Sequence, residues 1–105
     1  MSPIEHANDS TFDGEVLAAR GTVLVKFGAA WCPPCRALEP ILESLARERE
    51  SSLKVVDVDM DESPEVSRRF GVRAAPTLMV FRDGKRVVAH VGAVPKQKIV
   101  ALLER

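Results

Sequence analysis

The sequence predicts an α/β fold: a mixed sheet of four to five strands flanked by about four helices. Two runs, Thr22–Phe27 and Thr77–Phe81, are strongly apolar and rich in strand-forming residues, continuous rather than alternating, as strands buried on both faces are. The segments between the strand candidates carry apolar residues at helical spacing, and Asp83-Gly84 is a hairpin signal joining the last two strands. Strands alternating with helices, followed by a closing hairpin, imply a sheet sandwiched between helices in the order β-α-β-α-β-α-β-β-α.

Taken in order, Ile4–His6 reads as a short edge strand. Ser10–Ala19 reads as a first helix capped by Asp9 or Ser10. Thr22–Phe27 is a central strand. Leu38, Ile41, Leu42 and Leu45 then mark the inner face of a second helix, with Glu39, Glu43, Arg47 and Glu48 outward. Pro40 removes a backbone donor within it and is expected to interrupt and bend it. Leu53–Val58 is a third strand, Ser63-Pro64 opens a helix that stops at Gly71, and Thr77–Phe81 pairs with Arg86–Val91. Pro95 opens the last helix, with Ile99, Leu102 and Leu103 inward.

A chain of 105 residues suits a single domain spanning residues 1–105. Its 15 basic and 15 acidic residues balance, which argues against a nucleic-acid or polyanion binder. The charge is uneven along the chain: acids gather between Glu39 and Glu62, bases from Arg68 to Lys98. The basic third is expected to be a solvated face, because charges spread over several elements seldom converge on one groove. No leader pattern or membrane-length apolar run is read, so a cytoplasmic, monomeric protein that binds no membrane is expected.

The two cysteines are Cys32 and Cys35, at the junction of a central strand and a helix. A helix start carries free amide donors and partial positive charge, which favour a thiolate at Cys32. Cys32 is thus the expected attacking sulfur. Cys35, almost one turn on and expected to lie deeper, is placed to resolve a mixed disulfide on Cys32. Pro33 and Pro34 lack amide hydrogens, which costs little in a first turn and restricts the ring that the disulfide closes. A permanent staple or a metal site fits less well. The loop is short, and His6 and His90 have no ligand spacing, so both read as surface or strand residues.

The stretches "VKFGAAWCPPCRALEP", "VRAAPTLMVFRDGK" and "VGAVPKQKIVALL" make the whole chain resemble the thioredoxin family. Trp31 before the first cysteine, Pro34 before the second, Ala75-Pro76-Thr77 and Gly92 carry that resemblance together. It implies a thioredoxin fold and a thiol–disulfide oxidoreductase that reduces protein disulfides, with a flavoprotein thioredoxin reductase as electron donor. It also implies no cofactor beyond the redox-active Cys32–Cys35 disulfide. A cis Ala75–Pro76 peptide is implied against that disulfide, with Ala75 pairing to extended substrate and Trp31 and the Gly92 turn as groove walls. An oxidase or isomerase, and a peptide-binding module with incidental cysteines, are the alternatives.

Three positions depart from the family pattern. Pro33 replaces a glycine between the cysteines, and Gly28 stands where an aromatic residue is common, an exchange expected to open the groove. The third concerns charge. The family usually buries an acid six residues before the first cysteine, with a lysine on the neighbouring strand; here Lys26 and Asp57 hold those places with the signs exchanged. A lysine between Val25 and Phe27 is costly unless paired, and Asp57 is the natural partner. The pair is a candidate for proton transfer at Cys35 or for tuning its acidity; the alternatives are a structural pair or a lysine that snorkels outward.

Overall fold

The computed structural model describes residues 2–105. Five strands form one sheet: β1 (Glu5–Ala7), β2 (Thr22–Gly28), β3 (Leu53–Asp59), β4 (Thr77–Arg82) and β5 (Lys85–Val91), in the spatial order β1-β3-β2-β4-β5. The first three are mutually parallel, and β4 runs antiparallel to β2 and β5 to β4. Helices α1 (Pro33–Glu48), α2 (Pro64–Arg69) and α3 (Lys96–Leu103), with a π-helical turn at Asp13–Leu17, complete the chain. The mixed sheet and its helices are the expected α/β class.

Strand alternation divides the core into two. Val23, Val25 and Phe27 of β2 face the same side as Val56, Val58, Met79 and Phe81. Phe12 centres that side, its ring 5.3 Å from Phe70, 5.9 Å from Phe81 and 6.2 Å from Phe27. Leu24, Val55, Leu78 and Val80 face the other side, under Leu38, Leu42 and Leu45 of α1 and Ile99, Leu102 and Leu103 of α3. Lys26 belongs by alternation to this second face, directly below α1.

Two local expectations are corrected. The segment Ser10–Ala19 forms only the short π-helical turn, and neither Asp9 nor Ser10 caps it. Asn8 instead accepts the amides of Ser10 and Thr11, while the Asp9 carboxylate accepts the amides of Glu65 and Val66, at 3.2 and 2.9 Å, and so caps α2. The second correction is that α1 runs through Pro40 as one helix instead of being interrupted. Pro40 is exposed, and the apolar seam on the opposite face holds the helix together across the missing bond. The β4–β5 turn has Asp83 and Gly84 at φ 52° and 82°, the left-handed pair that a two-residue hairpin requires.

Among the described residues, no helix is long and apolar enough to cross a membrane.

Candidate functional site

β2 ends at Gly28, and a short loop carries the chain to Cys32, the N-cap residue of α1. Pro33 and Pro34 fill the first two helical positions, where an absent amide hydrogen leaves no bond unmade. Cys32 Sγ therefore meets the first available amide, that of Cys35, at 3.2 Å. The two sulfurs are joined as a disulfide with their Cα atoms 5.3 Å apart.

The expected difference in depth between them is absent, since each cysteine is 2% exposed. What distinguishes the two is their surroundings: Cys32 faces the amide end of α1, whereas Cys35 points down toward β2.

Trp31 stands beside the disulfide as one wall and is 64% exposed. Its indole N–H donates to Asp61 Oδ2 at 2.7 Å. Asp61 is itself placed by Asp59, whose carboxylate accepts the amides of Asp61 and Glu62 at the end of β3. The Ala75–Pro76 peptide is cis, and the Pro76 carbonyl accepts the Gly92 amide at 2.8 Å. Gly92 has φ +105°, a conformation that L side chains rarely adopt. Ala75 precedes β4 and takes no part in its ladder, so its backbone is not committed to the sheet.

Under Cys35 lies Lys26. In the sheet register Lys26 of β2 sits beside Asp57 of β3, and Asp57 beside His6 of β1. The ammonium is 3.4 Å from Asp57 Oδ1 and donates to the Cys35 carbonyl, also at 3.4 Å. His6 Nδ1 is 3.7 Å from Asp57 Oδ2. Side-chain exposure climbs along this row, from 4% at Lys26 through 26% at Asp57 to 75% at His6. The lysine does not snorkel outward: its amine is the most buried point of a row that opens to solvent at β1.

Gly28 makes room for it. A Cβ there would lie 3.1 Å from Lys26 Cε and 3.3 Å from Cys35 Sγ, so the position faces inward between these two side chains. The substitution for a larger residue that was expected to widen the substrate groove thus acts beneath the disulfide instead. A cleft of about 310 Å³, lined by Gly28, Ala30, Arg36, Lys26 and Asp57 among others, leads from the back of Cys35 to the surface.

The structure joins Cys32 and Cys35 at the start of α1, next in the chain to Trp31, Pro33 and Pro34, and sets Lys26 and Asp57 together beside Cys35; Pro76 and Gly92 are bonded to one another where β4 begins and β5 ends. Asp61 and His6 were not foreseen. An acid just past a strand end was the only signal for the first; the second had none beyond its place on an edge strand.

The thioredoxin family model matches residues 3–105. The chain belongs to the thioredoxin family. It is 45% identical over 105 residues to Thioredoxin 1 of Nostoc sp., covering 100% of this chain and 98% of the relative. It is 40% identical over 101 residues to the thioredoxin of Pseudomonas aeruginosa, covering 96% of this chain and 94% of the relative. A chloroplastic M-type thioredoxin of Chlamydomonas reinhardtii is 45% identical over 98 residues, covering 93% of this chain and 70% of the relative. With its C-x-x-C pair at disulfide distance, this thioredoxin-family chain is a thiol–disulfide oxidoreductase that reduces protein disulfides. Members of the family work through the redox-active disulfide itself.

Proposed function

We propose that Cys32 attacks and Cys35 resolves, with Lys26 and Asp57 handling the proton that Cys35 must lose. The observation that carries this reading is the contrast between the two sulfurs: Cys32 Sγ accepts an amide at the helix end, and Cys35 sits over a buried lysine. The Cys32 thiolate attacks one sulfur of a substrate disulfide, a mixed disulfide forms, and the first substrate thiolate leaves. Cys35 then loses its proton through the cleft toward the Asp57 carboxylate, while the nearby ammonium stabilises the thiolate that develops. That thiolate attacks Cys32 Sγ, the mixed disulfide breaks, and the second substrate thiolate departs. The substrate has gained two electrons and, from solvent, two protons; the protein holds the Cys32–Cys35 disulfide. A flavoprotein thioredoxin reductase in a reducing cytoplasm returns the two electrons.

Disulfide-bearing protein substrates lie between Trp31 and Gly92 and pair with the Ala75 backbone as an added strand. The test is reduction of insulin disulfides by the parent, Cys32→Ser and Cys35→Ser proteins. Both variants lose turnover, and only Cys35→Ser accumulates a mixed disulfide, on Cys32. Complexes trapped on Cys35 in the Cys32→Ser protein would reverse the assigned roles.

A further inference from the structure

The bases of the last third of the chain do not all remain solvated. Arg82 spends its guanidinium on the carbonyls of Leu103 and Arg105, and Lys96 pairs with Glu48. Arg73, on the loop before Pro76, and Arg86, on β5, are both exposed, and they line one open cleft of about 650 Å³. No carboxylate of the described residues lines it. Arg86 gives one N–H to the Phe70 carbonyl at 3.4 Å, and Arg73 enters no ion pair among the described residues.

The floor between them is apolar. In the sheet register Thr77 sits beside Val91 and Met79 beside Ala89, so Val91 and Ala89 share the side of the sheet that holds Met79, and a bulge in the pairing sets Arg86 opposite Phe81 with Val87 as the extra residue, so that both line the cleft. β5 is an outermost strand, and Val87 and Val91 are 45% and 64% exposed. The stripe ends at Gly92, whose amide is bonded to Pro76, and so reaches the Ala75–Pro76 segment of the proposed substrate groove. Across that site the Trp31 wall is acidic, with Asp59, Asp61 and Glu62.

We infer that this cleft is a substrate subsite that takes an extended, apolar segment of the disulfide-bearing protein and places a carboxylate of that segment between Arg73 and Arg86. The inference rests on the Ala75–Pro76 groove described under the proposed function and continues it along β5. Charge fixes the direction: a substrate acid is attracted toward the arginines and repelled from the Trp31 wall. Reach fixes the spacing. Arg73 lies two residues before Ala75 and Arg86 five before Val91. At about 3.3 Å per extended residue, the carboxylate falls roughly two to five residues from the reacting cysteine.

The experiment uses the pre-reduced full-length protein and follows oxidation by the fluorescence of Trp31. Its substrates are disulfide peptides carrying Asp, Asn or Lys three residues from the cysteine, with neutral 2-hydroxyethyl disulfide as the control. Each exposed guanidinium–carboxylate contact is worth about two- to fivefold in the rate constant, so the Asp peptide reacts about fivefold faster than the Asn peptide, and the Lys peptide slowest. In R73Q/R86Q, or at about 0.5 M salt, the three peptides come within about twofold of one another, while 2-hydroxyethyl disulfide is reduced as by the parent. Equal rates for all three peptides with the parent, or a preference that survives in R73Q/R86Q, overturn the subsite and leave the reductase reading standing. If the parent reduces neither peptide nor control, the reductase reading itself fails, and the subsite with it.

Discussion

Two of the lysine–carboxylate pairs of this molecule lie at very different depths. Lys96 of α3 binds Glu48 at the end of α1, with Ser44 shared between them, and both partners are substantially exposed. Lys26 and Asp57 join β2 to β3 with the lysine 4% exposed. Water competes with the first pair at all times, so it acts as a weak clasp between helices. For the second, removing an ammonium from water costs more than a single 3.4 Å carboxylate contact returns, and an apolar pair would stabilise the strand better. Stability alone gives such a pair little reason to exist, and the proposed function supplies one in the neighbouring Cys35.

The largest break in the comparison comes from unpairing the buried lysine. Asp57→Asn leaves the buried ammonium without a counter-charge, with only neutral acceptors in the amide oxygen and the Cys35 carbonyl, and costs about 2–3 kcal/mol; Lys26→Met leaves a carboxylate that is partly exposed and faces His6, and costs about 1 kcal/mol or less. The exchange Lys26→Asp with Asp57→Lys recovers most of the Asp57→Asn loss. Urea midpoints at constant m check all three, and a larger loss for Lys26→Met than for Asp57→Asn would contradict the buried-to-exposed gradient.

Gly28→Ala sharpens the same point. Its Cβ would press on Lys26 Cε and Cys35 Sγ, and the cost is on the order of 1 kcal/mol. Lys26 has a flexible stem that can yield, so part of the loss disappears when Lys26 is shortened. The double variant Gly28→Ala with Lys26→Ala is therefore less destabilised than the sum of the single changes, a coupling that a double-mutant cycle measures. Strict additivity would place the clash elsewhere.

The smallest effect is at the exposed pair. The Glu48 carboxyl is held below its ordinary value of 4.5, chiefly by the hydrogen bond from Lys96 and then by that from Ser44. A carboxylate whose folded value is depressed contributes stability that is present above the unfolded value and is lost as pH falls through the folded one. Lys96→Ala is thus slightly less stable than the parent at pH 7, and the two converge in acid below the depressed value. Denaturation curves at the two pH values check this, and a gap that widens in acid would have the wrong sign.

The elements were legible where one short window decides them. Thr22–Phe27 and Thr77–Phe81 are strands, buried from Val23 and from Thr77 onward as their strongly apolar composition predicts, and Asp83-Gly84 turns the hairpin. The site was legible where the motif is local, from Trp31 to Cys35, and where a lone lysine between Val25 and Phe27 called for a partner, met by Asp57 on the neighbouring strand. What stayed hidden depends on register between distant segments. Asp9 caps a helix more than fifty residues away, Trp31 finds Asp61, and His6 joins Asp57 only because β1 pairs with β3 in one register. Arg73 and Arg86 meet for the same reason: β5 folds back on β4 and carries the second toward the loop that holds the first.

The claim that the buried pair serves Cys35 is tested most directly by the rate at which Cys35 resolves a preformed mixed disulfide on Cys32, followed by stopped flow from acid to alkaline pH in the parent and in Lys26→Met. The methionine keeps the bulk of the stem and removes the amine. Resolution in Lys26→Met is slower by at least about tenfold near neutrality, and its pH profile is displaced toward alkali, because the thiolate forms without its neighbouring charge. Superimposable profiles in the two proteins would contradict the account, leaving Lys26 as a tolerated buried charge and sending the proton of Cys35 by another route.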